Sequence, residues 1–144
     1  MLVQHILKSK ASPGVVTLGP NAKVADAAKL LAEKRIGTVV ISEDGEAPMG
    51  ILSERDIVRE LARGGASCME RKVTDHMTTR LVTCTLQSGV GDVLNEMTEG
   101  RFRHMPVVED GKMVGLVSIG DVVKAQLAKL SMEKDALEGM IMGY

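Results

Sequence analysis

The amino-acid sequence predicts an α/β fold of the α+β kind: two β-α-β-β-α repeats, related by a pseudo-twofold axis and packed sheet to sheet. Three observations predict it. First, the halves of the 144-residue chain match at an offset of 66, pairing Val16 with Val82, Thr17 with Thr83, Val24 with Val90 and Asp26 with Asp92. The same offset pairs Glu33 with Glu99, Arg35 with Arg101, and Glu43-Asp44-Gly45 with Glu109-Asp110-Gly111. One extra residue in the first loop changes the offset to 65, so that Gly50 meets Gly115, Ser53 meets Ser118, Asp56 meets Asp121 and Val58 meets Val123. Second, both halves run through the same periodicities in the same order. Third, a half of roughly 60 residues buries too little surface to be stable alone, so two related halves must share a core.

Each element follows from its residues. Val24, Ala27, Ala28 and Leu31 fall at i, i+3, i+4 and i+7, one face of a helix, with Asn21 as its candidate N-cap. Val90, Val93, Leu94 and Met97 repeat that spacing after Ser88. TVVIS (38–42) and MPVVE (105–109) read as short buried strands, each followed by a Glu-Asp-Gly turn. MGILS (49–53) and MVGLVS (113–118) read as the returning strands. Helices follow, carrying Ile57, Val58 and Leu61 in one half and Val122, Val123, Leu127 and Leu130 in the other.

The joint is loop-like, Gly64-Gly65-Ala66-Ser67. The expected division is residues 1–68 for the first repeat with its N-terminal segment, 69–130 for the second, and 131–144 for a helical tail. In that tail Met132, Leu137, Met140 and Ile141 either cover the domain's own core or meet a second copy.

Composition removes several functions. The chain is 44% apolar and 26% charged with a net charge of −1, so it offers no field for nucleic acid or an anionic membrane. Phe102 and Tyr144 are its aromatic residues, too few to stack single-stranded bases. No run reaches the length of a membrane span and no export signal is visible, so a cytoplasmic protein is expected. Cys68 and Cys84 form no C-x-x-C and are expected as free thiols. His5, His76 and His104 have no zinc-ligand spacing. GLVSIGDV imitates P-loop glycine spacing, but Asp121 stands where lysine is required. No catalytic constellation is present, and no catalytic cofactor is implied.

The motif that carries chemistry is Ser-x-x-Asp, written at Ser53–Asp56 and Ser118–Asp121 between an apolar strand and a helix. One reading is a capping box, contributing about 1 kcal/mol per helix. The other is a ligand site. A helix N-terminus after a strand suits an anion, and a carboxylate one turn in can accept both hydroxyls of a ribose. The copies differ inside the motif. Arg55 in the first is either a phosphate donor or a solvated surface charge. Gly120 in the second permits close backbone approach but brings no charge, which must come from Arg101, Arg103 or His104.

The features GTVVISEDGEAPMGILSERDIV, VTDHMT and RHMPVVEDGKMVGLVSIGDVV together resemble a tandem pair of CBS (cystathionine β-synthase-type) domains, a Bateman module, over roughly residues 3–130. The resemblance implies a stand-alone, non-enzymatic regulatory module binding adenine nucleotides (AMP, ADP, ATP or NAD) in clefts between the repeats. It implies that Ser53, Asp56, Ser118 and Asp121 meet ribose and phosphate, and that His104 can contact phosphate. Adenine contacts would fall at Gly37, Thr38 and Val39 and at Arg103, His104, Met105 and Pro106. It also implies a homodimer and an unidentified regulated protein. Two rivals stand beside this reading: an interaction module whose motifs are only caps, and an enzyme such as a fragment of a dehydrogenase.

Overall fold

The computed structural model describes residues 1–10 and 14–143; Tyr144, the end of the expected tail, lies outside them. The chain runs α1 (Val3–Ser9), β1 (Thr17–Leu18), α2 (Val24–Lys34), β2 (Thr38–Ile41), β3 (Gly50–Ser53) and α3 (Glu54–Gly64). Two short 3-10 turns, Gly65–Glu70 and Val73–Asp75, lead to α4 (Val90–Gly100), β4 (His104–Glu109), β5 (Lys112–Ser118) and α5 (Ile119–Met142). The fold is mixed α+β. β1 lies parallel to β2, which pairs antiparallel with β3. β4 and β5 form the second sheet, where the equivalent of β1 shrinks to a single parallel bridge, Cys84 to Val107.

Two cores form in place of one shared core. The first joins Val24, Ala27, Leu31, Val39, Ile41, Leu52, Ile57 and Val73. The second joins Val90, Val93, Met97, Met105, Val107, Val117, Val122 and Val3, with Ile6 and Cys84 added. Taken in order, each member of the first core has its repeat-mate in the second. The opposite sheet faces are covered too, since Val40, Ile51 and Pro106 are buried.

The last pair, Val73 with Val3, shows how the halves are joined. Val73 N–H donates to Ala22 O (2.9 Å) and Val24 N–H to Arg71 O (2.8 Å), tying the second repeat's leading segment to the first repeat. Reciprocally, Val3 N–H donates to Ser88 O (2.9 Å) and Val90 N–H to Met1 O (3.0 Å). The leading segments are therefore exchanged, each completing the core of the other half. Glycine makes room for each. A Cβ on Gly50 would lie 2.5 Å from Met77 Sδ, and one on Gly115 would lie 2.6 Å from Leu7 Cδ1.

Some local expectations are corrected. The N-cap of α2 is Lys23, not Asn21, and that of α4 is Gly89. Asp26 Oδ2 accepts from Lys23 N–H (2.9 Å), so an acidic residue one turn inside the helix satisfies the amide of the cap residue itself. Ser88 Oγ instead accepts from Thr85 N–H in the preceding turn. The tail is no separate helix; α5 continues unbroken from Ile119 to Met142. Among the described residues no helix is long and apolar enough to cross a membrane.

Candidate ligand cleft

Both Ser-x-x-Asp motifs fold as complete capping boxes. Ser53 N–H donates to Asp56 Oδ2 (2.9 Å) while Asp56 N–H donates to Ser53 Oγ (3.2 Å). Ser118 N–H donates to Asp121 Oδ2 (3.0 Å) while Asp121 N–H donates to Ser118 Oγ (3.1 Å). The strands leading in are also alike. Thr38 is the register partner of Ser53, and His104 of Ser118. Glu54 N–H donates to Gly37 O (2.9 Å) and Ile119 N–H to Arg103 O (2.8 Å). Two of the first three amides of each helix are thus already engaged, and the N-terminus is a less open anion site than the sequence suggests.

The carboxylates then part company. Asp56 is 8% exposed, and its second oxygen, Oδ1, is taken by the Arg59 guanidinium one turn along α3. Asp121 meets a cation from elsewhere: Lys10 Nζ, delivered by the exchanged N-terminal segment, donates to Oδ2 (3.0 Å) and to Leu116 O (3.0 Å). Lys124 stands at the repeat position of Arg59 yet makes no ion pair with Asp121. Among the described residues Asp121 Oδ1 keeps no protein partner, and Asp121 lines a cleft.

That cleft has a volume of about 860 Å³ and is walled by both repeats. Gly37 and Thr38 come from the first repeat, and His104, Ser118, Asp121 and Lys124 from the second. Ile6, Val16, Ile36 and Leu116 add apolar wall, with Lys10 at the same site. A cavity of several hundred Å³, largely apolar with a few convergent polar groups, suits a small molecule. Burial opposes ionisation of Asp121, but the Ser118 amide and the Lys10 ammonium outweigh it and hold the carboxyl below its ordinary range. Burial also lowers His104 below its ordinary value; Asp121 pulls it up, while Lys10 and Arg103 push it down. The cleft therefore biases Asp121 toward its ionised form and His104 toward its neutral form, beside the Lys10 and Lys124 side chains.

Five residues singled out from the sequence gather here: Gly37, Thr38, His104, Ser118 and Asp121. The others lie elsewhere. Val39 and Met105 are fully buried core side chains, so they can offer a ligand only backbone. Pro106 is buried within β4, and Arg103 and Gly120 are exposed beside the cleft rather than lining it. Ser53 and Asp56 are engaged in their own box, and Arg55 is exposed on α3. Arg101 is the left-handed C-cap of α4, at φ 55°, as Arg35 is of α2 at φ 53°; both are capping positions. Lys10 and Lys124 were missed. Lys124 is signalled by the repeat, as the counterpart of Arg59, whereas nothing in the sequence connects Lys10 to a carboxylate 111 residues away.

A second, smaller groove of about 470 Å³ lies between α2 and α3, floored by Leu31, Ile36, Ile57 and Val58. It holds neither Ser53 nor Asp56. Cys68 and Cys84 are free and buried, as expected, and burial pushes the Cys84 thiol up to about 11. Among the described residues no His, Cys, Asp and Glu cluster could hold a metal ion.

Comparison with known proteins agrees with this architecture. The CBS domain family model matches twice, over residues 3–63 and 73–128. The mitochondrial CBS domain-containing protein CBSX3 of Arabidopsis thaliana is 39% identical over 124 residues, covering 83% of this chain; the chain spans 60% of that protein's length. The crystal structure of the CBS-domain protein ATU1752 from Agrobacterium tumefaciens superposes with a TM-score of 0.82 at 40% identity, covering 88% of this chain and 99% of that one. The CBS domain pair of protein MJ0100, solved in complex with 5-methylthioadenosine and S-adenosyl-L-methionine, superposes with a TM-score of 0.76 at 25% identity, covering 90% and 98% of the two chains. The chain belongs to the CBS-domain family, as a tandem pair of CBS repeats.

Proposed function

We propose that the chain is a non-catalytic regulatory module that binds an adenosine compound, AMP, ADP, ATP or NAD, in the cleft between its repeats. The observation that carries this reading is the free Oδ1 of Asp121, set beside Ser118 in a cleft walled by both repeats. An ionised carboxylate is an acceptor only, and a ribose diol supplies two donors for it. Lys124, Lys10 and His104 are the groups for phosphate; Ile6, Val16, Ile36 and Leu116 offer apolar walls to the base, with the Gly37 and Thr38 backbone for its edge. The adenosine ligands of MJ0100 support the choice of ligand class.

Regulation follows from where the ligand sits. The cleft is bounded by α1, the β2 entry and α5, so a ligand touching all three favours one arrangement of them over another. It shifts that equilibrium only by its differential affinity for the two arrangements. The output is a homodimer contact or a regulated protein partner, in the cytoplasm.

One observation favours a second reading, an interaction module without a nucleotide: both motifs form complete capping boxes from the chain's own groups. Thermal unfolding with adenosine, AMP, ADP, ATP, NAD and S-adenosylmethionine separates the two. A ligand at 100 times its Kd stabilises the native state by about 2.7 kcal/mol. No shift with any of the six at millimolar concentration overturns the nucleotide reading. Turnover of a bound nucleotide would overturn the assignment as non-catalytic.

A further inference from the structure

The two exchanged segments are held onto their host strands by different means. Beyond the turn Val73–Asp75, Thr78 pairs with β3 through two backbone bonds, Ile51 N–H to Thr78 O (3.0 Å) and Thr78 N–H to Ile51 O (2.8 Å). The repeat-mates of these residues are Lys8 and Leu116. Lys8 lies inside α1, which stays helical to Ser9, so its backbone forms no such bridge to β5. Leu116 O accepts instead from Lys10 Nζ (3.0 Å), whose ammonium also donates to Asp121 Oδ2 (3.0 Å). A side chain thus does beside the ligand cleft what a backbone pair does in the other half. α1 has seven residues, too few to stay helical in water without its docking contacts. Its amino end is anchored by the Val3 and Gln4 amides, bonded to Ser88 O and Leu86 O. Its carboxyl end has only Leu7 against Gly115 and the Lys10 ammonium among the described residues.

We propose that Lys10 makes the cleft select an adenosine compound with an anionic tail, and that this tail clamps the carboxyl end of α1 onto β5. The inference rests on the nucleotide reading and deepens it. A lysine ammonium carries three donors. Asp121 and Leu116 take two, and the third is left for a ligand, since Lys10 lines the cleft. The lysine and carboxylate side chains of the cleft are Lys10, Lys124 and Asp121, two cations against one anion, which favours an anionic group over a neutral or cationic one. A phosphate on the third donor adds an anchor to Lys10 without displacing the other two. A nucleoside without phosphate leaves the tether as it was. Occupancy of the cleft is thereby passed to the N-terminal segment, and only by ligands of one charge type. Lys124 belongs to α5, so a phosphate held by it alone does not tie α1 to β5.

The test combines amide hydrogen exchange of the full chain with titration calorimetry, using adenosine and AMP as probes. Without ligand, Lys10→Met keeps the aliphatic stem, removes the charge, and should speed exchange of the Leu7 to Ser9 amides about tenfold. In the parent, saturating AMP should slow those amides about tenfold, and saturating adenosine by less than about threefold. Lys10→Met should lower the ratio of AMP to adenosine affinity about tenfold and erase the extra protection by AMP. Lys10→Arg, with the charge kept, should restore most of both. Lys124→Met should weaken AMP yet keep the protection at saturation. Equal losses of affinity for the two probes in Lys10→Met would mark a merely structural residue, and unchanged exchange in that variant without ligand would mean no tether; either overturns the proposal. Equal protection of α1 by AMP and adenosine in the parent overturns it too, with the nucleotide reading left standing. A parent that binds neither probe overturns that reading and this inference together.

Discussion

Ser53–Asp56 and Ser118–Asp121 are the same piece of structure put to different use. Both close a helix N-terminus, with cap bonds that agree to 0.1 Å: 2.9 and 3.2 Å in one, 3.0 and 3.1 Å in the other. The difference is where the counter-ion comes from. Arg59 belongs to the same helix as Asp56 and closes over its outer oxygen. Lys10 comes from the exchanged segment and binds the oxygen already used by the cap, leaving Asp121 Oδ1 open. A repeat can thus keep its local fold and give up or gain a site through one long-range contact. Two copies of one motif need not make two equal sites.

The largest test of the contrast removes each carboxylate in turn. Asp121→Ala should weaken adenosine-compound binding by about a hundredfold, two hydrogen bonds to an ion being lost together. Asp56→Ala should leave affinity within about threefold and cost instead about 1–3 kcal/mol of stability, through the lost cap and the unpaired guanidinium. Titration calorimetry of the parent should give one site per chain. Two sites, or equal losses in the two variants, would erase the distinction.

The exchanged segments supply a test on stability. Gly50→Ala and Gly115→Ala should each destabilise the chain by about 1–3 kcal/mol, because the new methyl lands on the segment donated by the other half. Gly50→Ala should cost more. Its Cβ meets the Thr78 backbone carbonyl at 3.0 Å as well as Met77, whereas Gly115 faces the flexible end of Leu7. Urea unfolding reads both, and a neutral Gly50→Ala would mean the exchange is loosely packed.

Much of this was legible before the structure. Repeat spacing identified Val24 with Val90 and Asp56 with Asp121, and strand and helix positions followed within a residue or two. What was hidden came from contacts distant in sequence. The exchanged segments match at an offset of 70, Val3 with Val73, not at the 66 and 65 of the repeats, and Val is the one identity among Met1-Leu2-Val3 and Arg71-Lys72-Val73. Lys10 carries no local mark of its role. The cap expected at Asn21 falls instead at Lys23, whose own N–H is satisfied from inside the helix by Asp26.

Lys124 offers a finer test, because it occupies the place of Arg59. Lys124→Arg should bring a guanidinium over Asp121 Oδ1, as Arg59 lies over Asp56, and weaken adenosine binding about tenfold with the charge unchanged. The reverse change, Arg59→Lys, should not create a second site, since Asp56 stays buried. Unaltered calorimetry for Lys124→Arg would show that the open oxygen is not what the ligand uses.

The smallest expected effect is on pH, and it separates phosphate from ribose. Burial, the largest influence, lowers His104 below 6.5 in the folded chain, so above that value the imidazole is neutral in folded and unfolded states alike. As pH falls below 6.5 the unfolded chain takes up the proton first, and the folded chain loses stability until its own lowered value is passed. A phosphate bound beside His104 favours the protonated ring and offsets that loss. AMP should therefore bind about threefold more tightly as pH drops through this window, while adenosine, with no phosphate, should not. His104→Gln should abolish both the pH dependence of AMP binding and this loss of stability. Calorimetry at a series of pH values decides it: equal pH profiles for AMP and adenosine would move the phosphate away from His104 and leave Lys124 and Lys10 to hold it.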